Sequence, residues 1–333
     1  MMTFDNIISW IMSAVVFGTI IMLSSCGEIL TEKSGHLNLG VPGIMYISGF
    51  SAFYVAYSYE NSAEHPYAFL AVVLPMLIAL VVGGLFGLLY SFMTTSLKCN
   101  QNVVGLIITS LGVGMGKFLS GVLFKEASAK AAFTASAFTK RLPINFSSHV
   151  MQGLWNTLFG YGFMIYLAVA VAVLLHLFLT KTRPGLNLRA VGESPATADA
   201  AGINVTKYKY VATVCGCALC GLASTVYLFM FSGGGGLWAT TNNIEAIGWL
   251  AVALVIFSTW KPVHLIWGSY LFGLLYWAYN YAPAVFKISI PVQLWQMLPY
   301  VVTIVVLILT SMRKKRENQP PQGLGVPYFR EER

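Results

Sequence analysis

The segment Lys181–Lys209, KTRPGLNLRAVGESPATADAAGINVTKYK, is a basic, turn-rich interruption between two long apolar runs. Inside it, Ser194 is suited to cap a helix, Pro195 suits the first helical position, and Gly202 suits the left-handed position after the last turn. Residues 196–201 are mostly small, so another protein could approach their backbone closely. The segment therefore predicts a capped helix about 10 Å long that serves as a docking device.

The composition is that of a membrane protein. Apolar residues make up 57% of the chain and charged residues 10%, whereas soluble domains carry about 25% charged residues. Repeated apolar runs of roughly 20 residues predict an all-α, polytopic transmembrane helical bundle. The formal charge of +8 does not indicate nucleic-acid binding, because the basic residues cluster in loops and in the tail, where they orient a membrane protein. The cysteines, including the pair Cys217 and Cys220, are interpreted as small packing residues rather than as disulfides or metal ligands.

The apolar runs predict about nine spans, within a range of eight to ten. Their expected bounds are Ile7–Leu23, Gly40–Tyr57, Phe69–Leu89, Val103–Phe124, Gly162–Leu179, Tyr210–Phe231, Ile244–Ser258, Val263–Tyr281 and Leu294–Ser311. Residues 1–312 would form the membrane domain, with 181–209 as a cytoplasmic loop. Residues 313–333 would form a basic, disordered cytoplasmic tail.

Basic residues predict the orientation of the spans. The loop 181–209 and the cluster Arg313–Arg316 carry the positive charges expected on the cytoplasmic side. Four predicted spans separate the two segments, and an even number places both on the same side of the membrane. The N-terminus then falls outside. One long loop argues against it, because four of its basic residues would be external: Lys125, Lys130, Lys140 and Arg141. That loop could lie along the membrane surface.

Residues for catalysis and ion coupling are sparse. The main ionisable groups in the predicted spans, Lys117, His176 and Glu245, lie nearer to span ends than to span centres. A charge at the bilayer centre costs roughly 3 kcal/mol or more and usually marks an ion path. The sequence at Gly112–Lys117 imitates part of a phosphate-binding loop, but Phe118 replaces the required Ser or Thr. We therefore expect no catalytic residue, no metal site and no ATP site in this chain, so energy for any active process has to come from a partner.

Polar residues remain in two places. Within Gly27–Met45, four residues break the path between the first two spans: Gly35, Gly40, Pro42 and Gly43. Two interpretations stay open there: a broken helix that lines an aqueous pathway, or a plain cytoplasmic turn that contains Asn38. The second place is the run of amides Asn100, Gln101 and Asn102. These amides could bind uncharged hydroxyls or bases, or Asn100 could simply cap a helix.

Four segments carry a resemblance to a known family. TRPGLNLRAVGESPATADAAGINV resembles the cytoplasmic loop signature of bacterial ABC-transporter permeases of the branched-chain amino acid, ribose and nucleoside superfamily. SGHLNLGVPGIM is similar to the family's motif that opens the second span, with matches at Asn38, Gly40, Gly43 and Met45. IGWLAVALVIFSTWKP and MLPYVVTIVVLIL resemble its later spans. The resemblance runs in the family's order from about Asn38 to Leu309.

Within that superfamily, NQNVVGLIITSLGVG looks most like the second permease of nucleoside-type importers. Such importers pair two different permeases, which implies a heterodimer. Many nucleoside-type members carry Glu where this chain has Pro42, so the solute could differ, and a simple sugar or another neutral polar solute stays open.

The resemblance implies the following assembly. A separate ABC ATPase would bind ATP, so this chain would hold no cofactor. A sister permease and an extracellular solute-binding (lipo)protein would complete the importer. It would lie in the bacterial plasma (inner) membrane, in contact with lipids, and would not bind nucleic acid. The residues implied in ATPase coupling are Arg189, Gly192, Glu193, Pro195, Ala198 and Gly202, with Ala198 setting the close approach. The residues assigned to the substrate pathway are Asn38, Gly40, Pro42, Gly43, Met45, Asn100, Gln101 and Asn102. The alternatives are a secondary transporter that needs no ATPase, a permease for branched-chain amino acids, and a membrane scaffold or enzyme subunit.

Overall fold

The computed structural model describes residues 2–124, 128–141, 148–231, 236–239, 243–286, 291–312 and 319–329. Within these residues the chain is mostly helical. The α-helices are α1 Met2–Glu32, α2 Val41–Ser62, α3 Ala68–Ser91, α4 Gln101–Leu123, α5 Ala132–Thr139, α6 His149–Phe159, α7 Phe163–Lys181, α8 Arg183–Glu193, α9 Pro195–Ala200, α10 Val205–Val226, α11 Ile244–Phe257, α12 Pro262–Phe286 and α13 Val292–Met312. Two helices continue as single π-helical turns, at Phe92–Ser96 after α3 and at Tyr227–Phe231 after α10. The predicted basic positions Lys125 and Arg313–Arg316 lie outside the described residues.

Among the described residues, five helices are long and apolar enough to cross a membrane. They are Phe4–Glu32, Ala68–Ser96, Gln101–Leu123, Phe163–Lys181 and Val205–Phe231. On α3, Leu77, Val81, Leu85 and Leu88 form an exposed apolar stripe along one face, which suits contact with lipid rather than with water. A transmembrane helical bundle follows from these features. The total of nine spans and the orientation of the termini stay predictions.

Small residues let the central helices approach closely. Helix α10 packs against α1, α2 and α3, while α1 also packs against α11 and α12. A Cβ atom on Gly43 of α2 would lie 2.5 Å from the Thr109 Cα of α4, and Gly112 of α4 lies against the Gly43 backbone in return. Glycine at these crossings brings backbones together, as is usual for helix packing in membranes.

The first span is longer than predicted. Helix α1 continues unbroken through Gly27 to Glu32, nine residues beyond the expected end at Leu23. The break between the first two helices is confined to residues 33–40, so Gly27–Met45 is not one long broken element. The apolar pattern dips at Ser24, Ser25 and Gly27, but neighbouring helices bury this turn and keep it helical.

A short two-stranded sheet departs from the all-α prediction. Strands β1 (Ser128–Lys130) and β2 (Leu237–Ala239) pair antiparallel, with Ser128 opposite Ala239. The buried Trp238 of β2 donates a 2.7 Å hydrogen bond to the Ser120 Oγ atom of α4. Helix α5 follows β1, and its first amides, Phe133 and Thr134, donate to the Glu60 carboxylate. Part of the loop expected at the membrane surface is therefore packed into the bundle.

Candidate functional site

The segment 181–209 forms two short helices joined at Ser194. Helix α8 was not predicted. Pro184 occupies its first turn, and the Thr182 hydroxyl accepts a hydrogen bond from the Gly185 amide at 3.2 Å. The caps of α9 are confirmed: the Ser194 Oγ atom accepts from the Thr197 amide at 3.3 Å, and Gly202 has φ of +82°. These local hydrogen bonds fix the helix ends.

The two faces of α9 differ from the predicted arrangement. Ala198 is buried (3% exposed) and packs with Val191 and Val205 of its own chain. Its assigned position at the closest approach of a partner does not agree with this burial. The exposed residues of the short helix are Ala196, Thr197 and Ala200.

The other residues assigned to coupling differ in their exposure to solvent. Arg189 and Glu193 are exposed at the surface of α8, and Pro195 at the start of α9 is half-buried. Gly192 is buried, because its Cα lies against the backbone of Lys33 in the α1–α2 turn. Gly202 is exposed with open space around it. The loop thus joins the bundle through Gly192 and presents Arg189, Glu193 and the outer face of α9.

The C-terminal segment 319–329 packs on the same surface. The Gly325 amide donates to the Gly35 carbonyl at 3.2 Å, and the Tyr328 hydroxyl donates to the Asp199 Oδ2 atom at 2.9 Å. The Lys98 ammonium lies 4.3 Å from the centre of the Phe329 ring. For these residues the structure differs from the prediction of a disordered tail, because the α1–α2 turn and α9 supply partners that its composition does not reveal.

The turn between α1 and α2 is buried and internally satisfied. The Asn38 Oδ1 atom accepts from the Gly40 amide at 2.9 Å, and its Nδ2 atom donates to the Cys217 sulfur at 3.4 Å. His36 lies between Thr213 and Thr95, at 2.8 and 3.0 Å from their hydroxyl oxygens. Of the two open interpretations, this geometry fits the turn that contains Asn38.

The other pathway candidates near the α1–α2 turn make contacts between helices. Gly40 precedes the first turn of α2, and Pro42 lies against Gly248 of α11. Gly43 forms the crossing with α4, and the buried Met45 sulfur accepts from the Ser24 hydroxyl at 3.2 Å. In this conformation these positions hold helices together within the subunit.

The three amides at the start of α4 have separate environments. The exposed Asn100 caps α4, since its Oδ1 atom accepts from the Asn102 and Val103 amides at 3.0 and 3.2 Å. Gln101 is buried, its Oε1 atom accepts from the Leu37 amide at 2.7 Å, and its Nε2 atom has no partner among the described residues. Asn102 is exposed at the start of an apolar face of α4. These amides do not converge on one binding point within the subunit.

Two acidic residues in α1 were not predicted as functional candidates. Glu28 and Glu32 are fully or almost fully buried. Glu32 accepts a hydrogen bond from the Trp260 indole, whereas the Glu28 carboxylate has no side-chain hydrogen-bond partner among the described residues. The signal was present, because the apolar run resumes at Ile29 and Leu30. The spacing of four also places both carboxylates on one helix face.

Burial changes the pKa values of two side chains in the α1–α2 turn, Lys33 and His36. Burial and the positive charge of Arg189 lower the pKa of Lys33 to about 8, while the carboxylate of Glu193 acts in the opposite direction. Burial also lowers the pKa of His36 well below its usual 6.5, and the positive charge of Lys209 adds to this effect. His36 is therefore neutral at physiological pH, with one ring nitrogen donating and the other accepting.

Comparison with known proteins identifies the family. The profile of the branched-chain amino acid transport system permease component matches residues 10–307, nearly the whole chain. The chain belongs to this permease family. The family and the several long apolar helices together indicate a multi-pass membrane protein.

Three relatives of this permease are named after different solutes. The guanosine ABC transporter permease protein NupQ of Bacillus subtilis is 30% identical, over 96% of each chain. The nucleoside ABC transporter permease protein NupC of Lactococcus lactis is 29% identical, over 89% of this chain and 90% of its own. A Haloferax volcanii protein with the provisional name of a glucose ABC transporter permease, TsgC13, is 30% identical over 79% of this chain and 74% of its own. These relatives are transport components rather than enzymes.

Proposed function

We propose that this permease is one membrane subunit of an ABC importer for a nucleoside in a bacterial plasma membrane. A separate ATPase would contact the exposed face of α9 and drive alternation between outward and inward access. The observation that carries the proposal is the match to the permease family over residues 10–307, together with a capped helix whose small outer residues are exposed.

The contacts of α8 and α9 support an ATPase-coupling role. A partner that pushes on α9 would also move α8, because the two helices share Ser194. Gly192 of α8 lies against the backbone of Lys33, so the displacement would reach the α1–α2 turn. Helices α1 and α2 lie at the centre of the bundle. A docking event outside the bundle could thus be transmitted to the helices that would shape the pathway.

The choice of a nucleoside rests on the relatives. The two relatives named for nucleoside or guanosine cover more of this chain than the one named for glucose. A simple sugar is the second candidate, favoured by that third relative. Both solutes are neutral and rich in hydroxyls, so amides such as Asn102 on α4 could bind either one at an interface with a sister permease.

Uptake measurements test the solute. The chain would be expressed with the ABC ATPase, sister permease and solute-binding protein encoded in its source genome, in cells that lack other nucleoside importers. Labelled guanosine, uridine, glucose and leucine are then compared. We expect uptake of a nucleoside that unlabelled glucose does not inhibit. Uptake of glucose or leucine alone would reject the nucleoside assignment, although it would leave the permease role in place.

A second experiment separates an ABC importer from a secondary transporter. Glu28 is the residue to test, because a buried carboxylate without a side-chain partner among the described residues is the kind of group that couples ions. We expect ATP depletion to abolish uptake, an ionophore to leave it unchanged, and Glu28→Gln to transport normally. Uptake that collapses with the ion gradient and is lost in Glu28→Gln would overturn the ATP-driven mechanism.

A further inference from the structure

A cavity of about 610 Å³ opens at the end of the bundle that carries α9. Three lysines line it: Lys98 after α3, and Lys207 and Lys209 in the first turns of α10. Hydroxyl and amide side chains, among them Thr95 and Asn204, also line it. This set of donors suits an anion.

Lys209 is the residue that makes this cavity unusual. It lines the cavity although its side chain is only 2% exposed, and within the described residues no carboxylate forms an ion pair with it. One acid, Asp199, also lines the cavity, and its carboxylate accepts from the Tyr328 hydroxyl at 2.9 Å. A buried ammonium without a counter-ion is costly, so a bound anion would stabilise it.

The N-terminus of α10 reinforces the positive potential. Helix α10 starts at Val205, and Asn204 caps it by accepting from the Lys207 amide at 2.9 Å. Both Asn204 and Val205 line the cavity. The first amides of a helix and its dipole favour negative charge, as in many phosphate sites.

The surroundings place the cavity at the edge of the lipid-facing surface. Leu97, which precedes Lys98, is 56% exposed, and Val211, one turn after Lys207, is 54% exposed. Phe92, at the other end of the π-helical turn, is also exposed. Exposed apolar residues on a membrane protein contact acyl chains, so the cavity adjoins both lipid and the α9 loop.

We propose that this cavity binds the phosphate of an anionic phospholipid headgroup, with its acyl chains along Leu97 and Val211. Lys98, Lys207 and Lys209 would hold the phosphate. The inference goes beyond the proposed transport function and does not depend on it, since it requires only that the chain lies in a membrane. Because Asp199 of α9 and Tyr328 of the C-terminal segment form one wall, a bound lipid would also brace the loop.

Lipid retention tests the site. The full chain is purified in mild detergent, exchanged into mixtures of phosphatidylglycerol and phosphatidylcholine, and examined by native mass spectrometry. We expect one phosphatidylglycerol to be retained in preference to phosphatidylcholine. The double variant Lys98→Gln/Lys207→Gln should bind it about 25-fold more weakly, at about fivefold for each lysine. Lys181→Gln, an exposed lysine outside the cavity, is the matched control and should bind as the wild type does.

Further arms distinguish the source of the phosphate and guard against misfolding. Lys209→Met is measured in addition to the double variant. Because Lys209 is buried, this substitution could alter folding. Weaker lipid binding by Lys209→Met supports the site only if its melting temperature stays within a few degrees of the wild-type value. Inorganic phosphate at millimolar concentration should not displace the lipid. Equal retention by wild type and the double variant, or loss of lipid preference when phosphate alone is added, would overturn the assignment.

Discussion

The Gly323 amide donates a 2.9 Å hydrogen bond to the carbonyl oxygen of Gly192. This contact joins residues 131 positions apart in the chain and ties the C-terminal segment to the end of α8. Gly192 itself lies against the α1–α2 turn. One residue thus connects the tail, the surface proposed for ATPase docking and the centre of the bundle.

We expect Gly323→Val to loosen the loop. A Cβ atom at position 323 would lie 2.8 Å from the Gly192 oxygen and 3.3 Å from the Pro195 Cδ atom, so the hydrogen bond would be lost. Loss of about 1 kcal/mol should speed amide exchange in residues 192–203 about fivefold, as hydrogen–deuterium exchange can measure. Gly121→Ala, where the added atom meets open space, is the control. Unchanged exchange in Gly323→Val would show that the tail does not brace the loop.

The crossing of α2 and α4 should not tolerate a methyl group. In Gly112→Ala the new atom would meet the backbone of Gly43, which cannot rotate away, and a cost of about 1–3 kcal/mol is expected for overpacking. Gly114→Ala, two residues along the same helix and in open space, should leave the melting temperature equal or slightly higher. Thermal unfolding in detergent compares the two variants. Equal melting temperatures would contradict this account of the crossing.

Tryptophan substitutions separate docking from packing in α9. Ala196→Trp places a large side chain on the exposed face, so it should abolish ATPase co-purification and uptake while the isolated permease unfolds at its normal temperature. Ala198→Trp instead forces a large ring among Val191 and Val205, so it should lower the melting temperature itself. Normal ATPase binding by Ala196→Trp would reject α9 as the docking helix.

The stability of the α1–α2 turn should depend on pH through His36. Burial holds the pKa of His36 well below 6.5, so the unfolded chain binds more protons than the folded chain below pH 6.5. Its contribution is therefore fully present above pH 6.5 and is lost as pH falls, by up to about 1.4 kcal/mol per pH unit. His36→Gln should be less stable than wild type at pH 7.5, and that difference should shrink at pH 5. A constant difference in melting temperature between pH 7.5 and pH 5 would exclude this role.

Local sequence was sufficient where hydrogen bonds are local. The ends of α9 were predicted because Ser194 caps Thr197 and Gly202 adopts a left-handed conformation within the same few residues. The long apolar helices were also predictable from local sequence, because a helix that crosses the hydrocarbon core needs a continuous run of apolar residues. By contrast, the predicted end of α1 was too early. Packing keeps Ser24 to Glu32 helical and buried, although their composition alone suggested a break.

The assignment of individual site residues needed the folded chain. Asn38 and Gln101 were assigned to the pathway as amides, and Gly43 as a break between two spans that matches the family motif. In the folded chain they contact Cys217, Leu37 and Thr109, which come from distant parts of the chain. Sequence spacing does not say whether a polar group faces a solute or a neighbouring helix. That distinction arises only when the helices pack.

The amino-acid sequence by itself determined the membrane bundle, the permease family and the capped helix at Pro195–Ala200. The tertiary structure decided which face of that helix is exposed, because a run of small residues has no apolar periodicity to orient it. It also decided the order of the C-terminal segment, whose proline- and glycine-rich composition suggested disorder. Carbonyl groups of Gly35 and Gly192 accept its amides, and only the folded bundle brings those acceptors within reach.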